Sequence, residues 1–566
     1  MAIKQLKIVA DFETTTDPND VRVWAACAVD INTLDTVHIS NSIDSFFNWL
    51  SNKNTVCFFH NLKFDGEFIL AYLLRNGYRY SEKKLPKTFE VLISDTGIFY
   101  SITVYFGKEK KKYRKVTFYD SLKKLPFKVS VISKAFKLPD EKLTIDYDAY
   151  RAPDHELTEE EKRYIVNDCR IVAAALQIQF AQGLKKMTNA SDAMNNYKEI
   201  LSKKRFGEYF PTLPVAIDND IRRAYKGGYV YLKPEHRNER GLKGCRLDVN
   251  SLYPSVMYDR VLPWGYPMYF EGAPDPDERY CLFIVRLKCA FDLKPRHLPT
   301  IQLKNSMRFI PTEYLTTSDG AIVEMTLTNV DLDLFLEHYD VSDLTYINGW
   351  KFKGVSGLFK EYIDHWMKIK ETSTGALRQL AKLMLNSLYG KFATNPRAYK
   401  RISYLDEDGV VQYEIIDTEE KAKRHNVAPP EPRDPVYTAM GAFITAYARE
   451  KTIRSGQAVY DRFIYSDTDS LHLIGEEPPE DIDVHPTKLG AWKNEGTFTD
   501  SVFLRAKTYM ETTENGVEVT CAGMPDNIKA KVTYDNFQPG QSFEGKLVPR
   551  RFPGGVVLMS TTFTIK

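Results

Sequence analysis

Apolar residues along this chain recur in short runs closed by acids, with stretches of helical spacing between them. Lys7 to Thr16 opens as an apolar strand in which Asp11 and Glu13 alternate, so both project to one side. Val56 to Asp65 repeats the plan, a buried strand followed by polar residues. Glu161 to Asp168 is helical sequence, and its four-residue gap sets Tyr164 and Asp168 on one face. At Arg246, Leu247 and Asp248 another acid closes an apolar run, Tyr280 to Leu287 reads as strand, and Asn329 to Leu336 reads as helix. Between Lys368 and Lys391, Ala376, Leu377, Leu380, Ala381, Met384, Leu385 and Leu388 recur at helical spacing, which predicts an amphipathic helix ending at Gly390. Tyr465 to Ser470 lies between apolar runs and predicts a β-hairpin with an acidic tip, on which Asp467 and Asp469 share a face. The alternating apolar residues after Val548, with Gly554 and Gly555 among them, predict a small β-rich C-terminal unit.

With 566 residues, 43% hydrophobic and 27% charged, the chain is long enough for several globular domains. The 34 Tyr and 32 Phe supply stacking platforms as well as core. A net charge of only +2 means that any nucleic-acid binding must come from local clusters, offset by acidic sites elsewhere. One such cluster is Lys368 to Lys391; another, Lys108 to Lys115, equally suits a solvated hairpin loop. Seven scattered cysteines without a C-x-x-C pair read as reduced, mostly buried thiols rather than a zinc site. The N-terminus has no signal-peptide layout and no run approaches a membrane span, so a soluble protein that stays where it is made is expected.

Like charges as close as Asp467 and Asp469 need a cation or a proton, and hard oxygen ligands of this kind suit Mg²⁺. Asp248 stands far upstream, and two-metal phosphoryl transfer needs carboxylates converging from separate strands. Asp11, Glu13, Asp65 and Asp168 end three core segments, which a divalent-metal cluster explains better than four unrelated caps. Arg378, Lys382 and Tyr389, four and seven residues apart, lie close to one helix face: charge for a triphosphate and a ring for a base.

These blocks resemble motifs A, B and C of family-B DNA polymerases, most closely the protein-primed replicative enzymes of small tailed bacteriophages, the phi-29 type. The resemblance runs from Asp11 to Lys566 and is closest over His60 to Gly66, Tyr119 to Phe127 and Leu380 to Lys391. It implies an α/β multi-domain fold: an RNase H-like 3′–5′ exonuclease domain over 1–188 and a right-hand polymerase domain. The palm would take 189–259 and 438–521, the fingers 359–393 and the thumb 522–566. Two terminal-protein-region insertions would take 260–358 and 394–437. The second is longer than the family's, and its charged, proline-rich stretch from Thr418 to Asp434 is expected to be a mobile loop.

By the same resemblance Asp11, Glu13, Asp65 and Asp168 would hold two Mg²⁺ ions, with Tyr164 orienting the attacking water and Lys142 stabilising phosphate charge. The spacing before Lys142 differs from the family's. Thr14, Asn61, Phe64, Ser121, Leu122 and Phe127 would grip single-stranded DNA. In the polymerase, Asp248, the Val249 carbonyl and Asp469 would bind the second metal pair, with Asp467 a direct or an outer ligand. Mn²⁺ is an expected substitute for Mg²⁺. Lys370, Arg378 and Lys382 would hold the dNTP triphosphate, Tyr389 the nascent base pair, and Tyr253 would exclude a 2′-hydroxyl. Lys507 and Tyr509 would support the primer terminus. Tyr225, Gly227 and Gly228 would form a Y-x-G-G linker whose glycines allow close approach to template phosphates. The implied partners are primer-template DNA, dNTPs and a terminal priming protein, for a monomer in the cytoplasm of an infected bacterium. The alternative is a family-B polymerase that extends ordinary primers only.

Overall fold

A computed structural model describes the chain except for residues 1–4, 110–111, 305, 311 and 397–398. Leu6–Thr14 lies inside an eight-stranded sheet, antiparallel to Val23–Asp30 and parallel to Thr55–Phe59, which is parallel in turn to Lys112–Asp120. Ile8, Ala10 and Phe12 enter one core with the helix Leu62–Arg75, while Val9 enters the opposite core beneath the helix Glu159–Ala181. Alternation therefore carries Asp11 and Glu13 to the face of Val9, towards the helix that bears Tyr164 and Asp168. That helix starts where it does because Thr158 and Glu161 form a reciprocal cap, Glu161 N–H to Thr158 Oγ1 at 3.2 Å and Thr158 N–H to Glu161 Oε2 at 3.0 Å. The Lys108 to Lys115 cluster falls on the hairpin Phe99–Glu109 and Lys112–Asp120, and its tip lies outside the described residues.

A seven-stranded sheet forms the second half around Gly244–Val249, which pairs antiparallel with Ser470–Ile474 on one side and Trp492–Arg505 on the other. Behind it the helix Thr438–Ala458 is buried along most of its length. Among the described residues no helix is long and apolar enough to cross a membrane. All seven cysteines are free; six are buried and Cys281 is exposed.

The strand and helix expected near Tyr280 and Asn329 are Leu282–Leu293 and Asn329–His338, parts of a four-stranded unit with Leu262–Glu271, Val323–Thr328 and Tyr339–Val355. The segment expected as one helix to Gly390 is different. Lys360–Thr372 and Gly375–Ser387 are two packed helices, and the second breaks at Leu388 before a last turn, Tyr389–Phe392. Lys370 thus sits on the first helix and Tyr389 beyond the end of the second.

The stretch from Thr418 to Asp434 is also more ordered than its charge suggested. It follows a hairpin, Lys400–Leu405 and Val411–Ile416, and begins as the helix Glu419–Arg424, capped by Thr418. His425 closes on Glu414 at 2.6 Å, and Glu82 of the N-terminal sheet accepts the Ala428 N–H at 2.9 Å. Residues 426–436 carry no helix or strand. The C-terminal unit is the predicted β-hairpin, Ser542–Phe552 and Gly555–Thr564. Its tip packs so closely that a Cβ on Gly555 would come within 2.4 Å of the Phe68 ring.

Candidate active sites

The four N-terminal acids do converge. Asp65 is 4% exposed in the first turn of its helix, and Asp168 is 6% exposed. Buried oxygens Asp65 Oδ1 and Asp168 Oδ1 have no hydrogen-bond partner. Burial, then the neighbouring Asp168, pushes the Asp11 carboxyl up to about 7. Burial, then Asp11, raises both Glu13 and Asp65 well above the usual carboxylate range. Lys142 donates to the Tyr164 hydroxyl at 3.1 Å and also to Asp168 Oδ2. Burial by itself would depress this lysine, but the bond to Asp168 carries it above the ordinary range. Lys142 therefore joins the acids as the resemblance implied, and supplies one positive charge among four carboxyls.

Two further groups in this site had been passed over. Tyr147 meets Tyr164 hydroxyl to hydroxyl. Asp120, at the end of its strand, accepts the backbone N–H groups of Asn61 at 3.1 Å, Leu62 at 3.3 Å and Leu122 at 3.0 Å. One carboxylate thereby fixes the two segments expected to grip DNA, with Asn61 held at a left-handed φ of 74°. Its position closing an apolar strand, like Asp11, was the available signal. His60 bridges the same segments, Nδ1 3.0 Å from Ser121 Oγ and Nε2 2.8 Å from the Phe127 carbonyl. Ser121 is wholly buried and donates to the Phe59 carbonyl at 3.0 Å, so its hydroxyl holds the loop together. Phe64 packs beside Phe68, and Thr14 closes the first strand half-buried.

In the second site Asp248 ends the central strand opposite Ser470, and the Val249 N–H donates to the Asp469 carbonyl at 2.8 Å. The predicted hairpin is present, Phe463–Asp467 and Ser470–Ile474, but Asp469 lies in its turn rather than on a strand. The two acids stay neighbours, the Asp469 N–H donating to the Asp467 carbonyl at 2.8 Å, but they differ in partners. Lys507 Nζ grips Asp467 at 2.8 and 2.9 Å, while Asp469 is the first neighbouring charge to bear on Asp248. Burial, then Asp469, pushes the Asp248 carboxyl up to about 7. Tyr509 stacks on Phe503 at 5.3 Å beneath the hairpin. A cavity of about 610 Å³ opens here, lined by Asp248, Asp467, Asp469, Glu495, Lys507 and Tyr509 among others.

The Y-x-G-G segment braces the turn. A Cβ on Gly228 would fall 2.6 Å from the Thr468 side chain, and the Thr468 N–H donates to the Tyr229 carbonyl at 2.6 Å. The close approach made at Gly228 is thus to the protein's own hairpin, whereas nothing lies within 4 Å of a Cβ on Gly227. The Gly227 carbonyl accepts from the buried Arg449 at 2.7 Å. Burial, then Arg378 and Lys382, depresses Lys370, so the three expected cations form one electrostatic cluster. Lys370 reaches the Ser251 hydroxyl at 3.0 Å, and Tyr389 stacks on Tyr253 with centroids 4.0 Å apart. Tyr225 lies half-buried near Tyr389.

Among the described residues no three His, Cys, Asp or Glu side chains form a ready-made metal cage. Buried carboxyls that repel one another and leave oxygens unpartnered are nonetheless the donor set a hard divalent cation takes. Asp11 and Asp248 have folded values near 7 against 3.8 for the free group, so the unfolded chain sheds these protons first. The stability they contribute is present at low pH and lost as pH rises through 7. Metal-free protein in chelator should therefore melt lower at about pH 8 than at about pH 5.5 as far as these groups decide, and Mg²⁺ should raise the alkaline value. Paired melting curves of the wild type and Asp11→Asn/Asp248→Asn check this; identical slopes with pH would refute it.

Four acids gathered from a strand and two helices at the N-terminal sheet, and further acids on the central strand and adjoining turn of an antiparallel sheet, give two separate carboxylate clusters in one chain. The sequence pattern of the family described as "DNA polymerase type B, organellar and viral" matches residues 48–156 and 149–486, and the chain belongs to that family. The DNA polymerase of Bacillus phage B103 is 47% identical over 98% of this chain and 99% of its own length. That of Bacillus phage phi29 is 46% identical over 98% of both chains, and that of Streptococcus phage Cp-1 34% over 98% of both. The solved structure of phi29 DNA polymerase complexed with primer-template DNA and incoming nucleotide substrates matches 100% of both chains with a TM-score of 0.94 at 45% identity. The similarity to phi29-type polymerases expected from the motifs thus extends over the whole chain.

Proposed function

We propose that this DNA polymerase starts synthesis on a terminal priming protein, extends it processively with strand displacement, and proofreads through the N-terminal site as a 3′–5′ exonuclease. The observation that carries the reading is the presence of two separate carboxylate clusters, each with its own lysine, on two different sheets. The phi29 enzyme has been solved with primer-template DNA and with single-stranded DNA, and the same ligands are proposed here. The domain division is that given by the motifs: nuclease 1–188, palm 189–259 and 438–521, fingers 359–393, thumb 522–566 and inserts 260–358 and 394–437. A monomer working in the cytoplasm of an infected bacterium completes the proposal.

Asp11, Glu13, Asp65 and Asp168 would hold one pair of Mg²⁺ ions, and Asp248, Asp469 and the Val249 carbonyl the other, with Mn²⁺ as a substitute. Bound there, the ions would ionise the attacking oxygen and neutralise charge on the phosphate. The remaining work falls to the chain. Lys370, Arg378 and Lys382 would bind the triphosphate and orient it towards Asp248. Lys507 keeps Asp467 in place beside the turn and, with Tyr509, would carry the primer terminus. In the nuclease, Tyr164 would orient water while Lys142 balances phosphate charge. A cavity of about 700 Å³ runs between Leu122 and Lys123, Leu383 and Gly390, and Tyr399 and Arg433 of the second insert, and supports a passage for a single strand between the sites.

Tyr253 is pinned flat against Tyr389, so it would form a rigid wall at the sugar. Tyr253→Val should raise ribonucleotide incorporation by roughly tenfold to a hundredfold, read as the ratio of kcat/KM for rNTP and dNTP. An unchanged ratio would remove Tyr253 from sugar selection. The reading as a whole is tested with a 5′-labelled primer on circular single-stranded DNA with Mg²⁺ and no other protein. Products many circles long with dNTPs, and primer shortening without them, are expected. Synthesis stopping after one circuit would remove strand displacement. Priming is tested by supplying the candidate terminal protein and one labelled dNTP, where absence of a labelled protein band would leave only ordinary primer extension.

A further inference from the structure

Glu67 lies on the helix Leu62–Arg75, 4% exposed, with its two oxygens taken by partners hundreds of residues away. The Tyr413 hydroxyl donates to Oε2 at 2.8 Å, and Arg551 Nε donates to Oε1 at 3.0 Å. The Arg551 guanidinium also lies 4.6 Å above the centre of the Tyr413 ring, so the three side chains close a triangle. Tyr413 belongs to the hairpin of the second insert and Arg551 to the C-terminal hairpin. Gly555 and Val556 seat the tip of the C-terminal hairpin against Phe68, and Arg401, at the base of the insert hairpin, donates to the Asp95 carbonyl.

The far end of the C-terminal hairpin is anchored elsewhere. Phe543 and Phe563 share a core with Val502 and Met510 of the seven-stranded sheet, ~35 Å along the strands from the tip. Besides the Lys128–Asp526 ion pair, two larger junctions therefore join the two halves among the described residues. One junction is a continuous apolar core through Tyr197 and Trp366; the other is the pair of hairpin tips held on Glu67. The second junction combines apolar contacts of Val411 and Val556 with a carboxylate that has two donors, and the charge-assisted pair is the part of it that can break and re-form most readily.

We propose that Glu67 is the positioning residue of a latch that holds both hairpin tips together around the DNA, so that it governs the length synthesised per binding event and not the rate of each addition. This rests on the processive synthesis proposed above. A carboxylate is the fitting group because it offers acceptors on both oxygens, whereas a glutamine of the same shape presents an NH₂ to one of the two donors. Glu67→Gln, which preserves packing, should therefore open the latch as fully as Glu67→Ala.

The test measures product length on circular DNA with a trap that captures any released enzyme, alongside single-nucleotide addition on a short primer-template. Glu67→Gln and Arg551→Gln are each expected to shorten products about tenfold, the shift that follows from losing one charge-assisted hydrogen bond. The double variant should be no worse than either single one, and single-nucleotide addition should be unchanged. Full-length products from both variants, with shortened products when the insert hairpin 400–416 is replaced by a short Gly-Ser link, would overturn the latch and leave enclosure standing. Full-length products in all three would overturn enclosure and the latch together. Loss of single-nucleotide addition in Glu67→Gln would show a structural residue and not a latch.

Discussion

Asp248→Ala or Asp469→Ala is expected to abolish primer extension while the chain continues to shorten primers from their 3′ ends. Asp248 closes the central strand, and the bond from the Val249 N–H to the Asp469 carbonyl locks the turn beside it, so the pair is held from both sides. Burial and the neighbouring Asp469 raise Asp248, and burial and the neighbouring Asp467 raise Asp469, so both carboxyls are poised to take positive charge. A cation held there contributes several kcal/mol to the transition state, so its loss should lower kcat by about a thousandfold or more. Melting temperature should not fall, because removing one of two repelling acids relieves strain on the metal-free fold. A gel of a 5′-labelled primer with and without dNTPs decides it. Extension within about tenfold of the wild type would displace these acids from the reaction.

The converse variant, Asp11→Ala with Asp65→Ala, should extend primers normally and lose 3′ shortening by a comparable factor. The two acids come from a strand and from a helix on the far side of the sheet end, and each depends on burial for its raised affinity for protons or cations. On a primer ending in a mismatch, the variant should leave the mismatch in place where the wild type removes it before extending. Loss of both activities from either pair would sink the two-site reading. Lys142 offers an internal check: bonded to both Tyr164 and Asp168, it belongs with the nuclease acids and should leave synthesis unaffected when replaced.

What was legible in the sequence was whatever short-range periodicity encodes. Alternation placed Asp11 and Glu13 together, four-residue spacing placed Tyr164 over Asp168, and the apolar flanks of Asp467 gave the hairpin. What escaped depends on partners distant in the chain. Nothing local marks Glu67 as buried, since its donors lie 346 and 484 residues away. The capture of Asp467 by Lys507 likewise separates two acids that look equivalent in sequence. The interruption at Leu388 is invisible to hydrophobic spacing, because the apolar stripe continues through it and the Leu388 backbone itself stays helical, at φ −71° and ψ −50°. The six-residue helix after Thr418 and its contacts with Glu414 and Glu82 are not written in the local charge pattern, because those partners lie outside the stretch itself.

The shared apolar core has a consequence for how the molecule comes apart. Val9 and Leu176 under the N-terminal sheet, Tyr197 and Trp366 between the halves, and Leu247 and Trp492 under the second sheet belong to one uninterrupted interior. Heat should not release the halves one after the other, as it does in proteins whose domains are strung on linkers; most of the chain should unfold as a single cooperative block in the calorimeter. Cutting the chain near residue 188 would strip apolar cover from both fragments at once. The N-terminal half is thus built into the solvent-free interior of the second half, and neither is a detachable module.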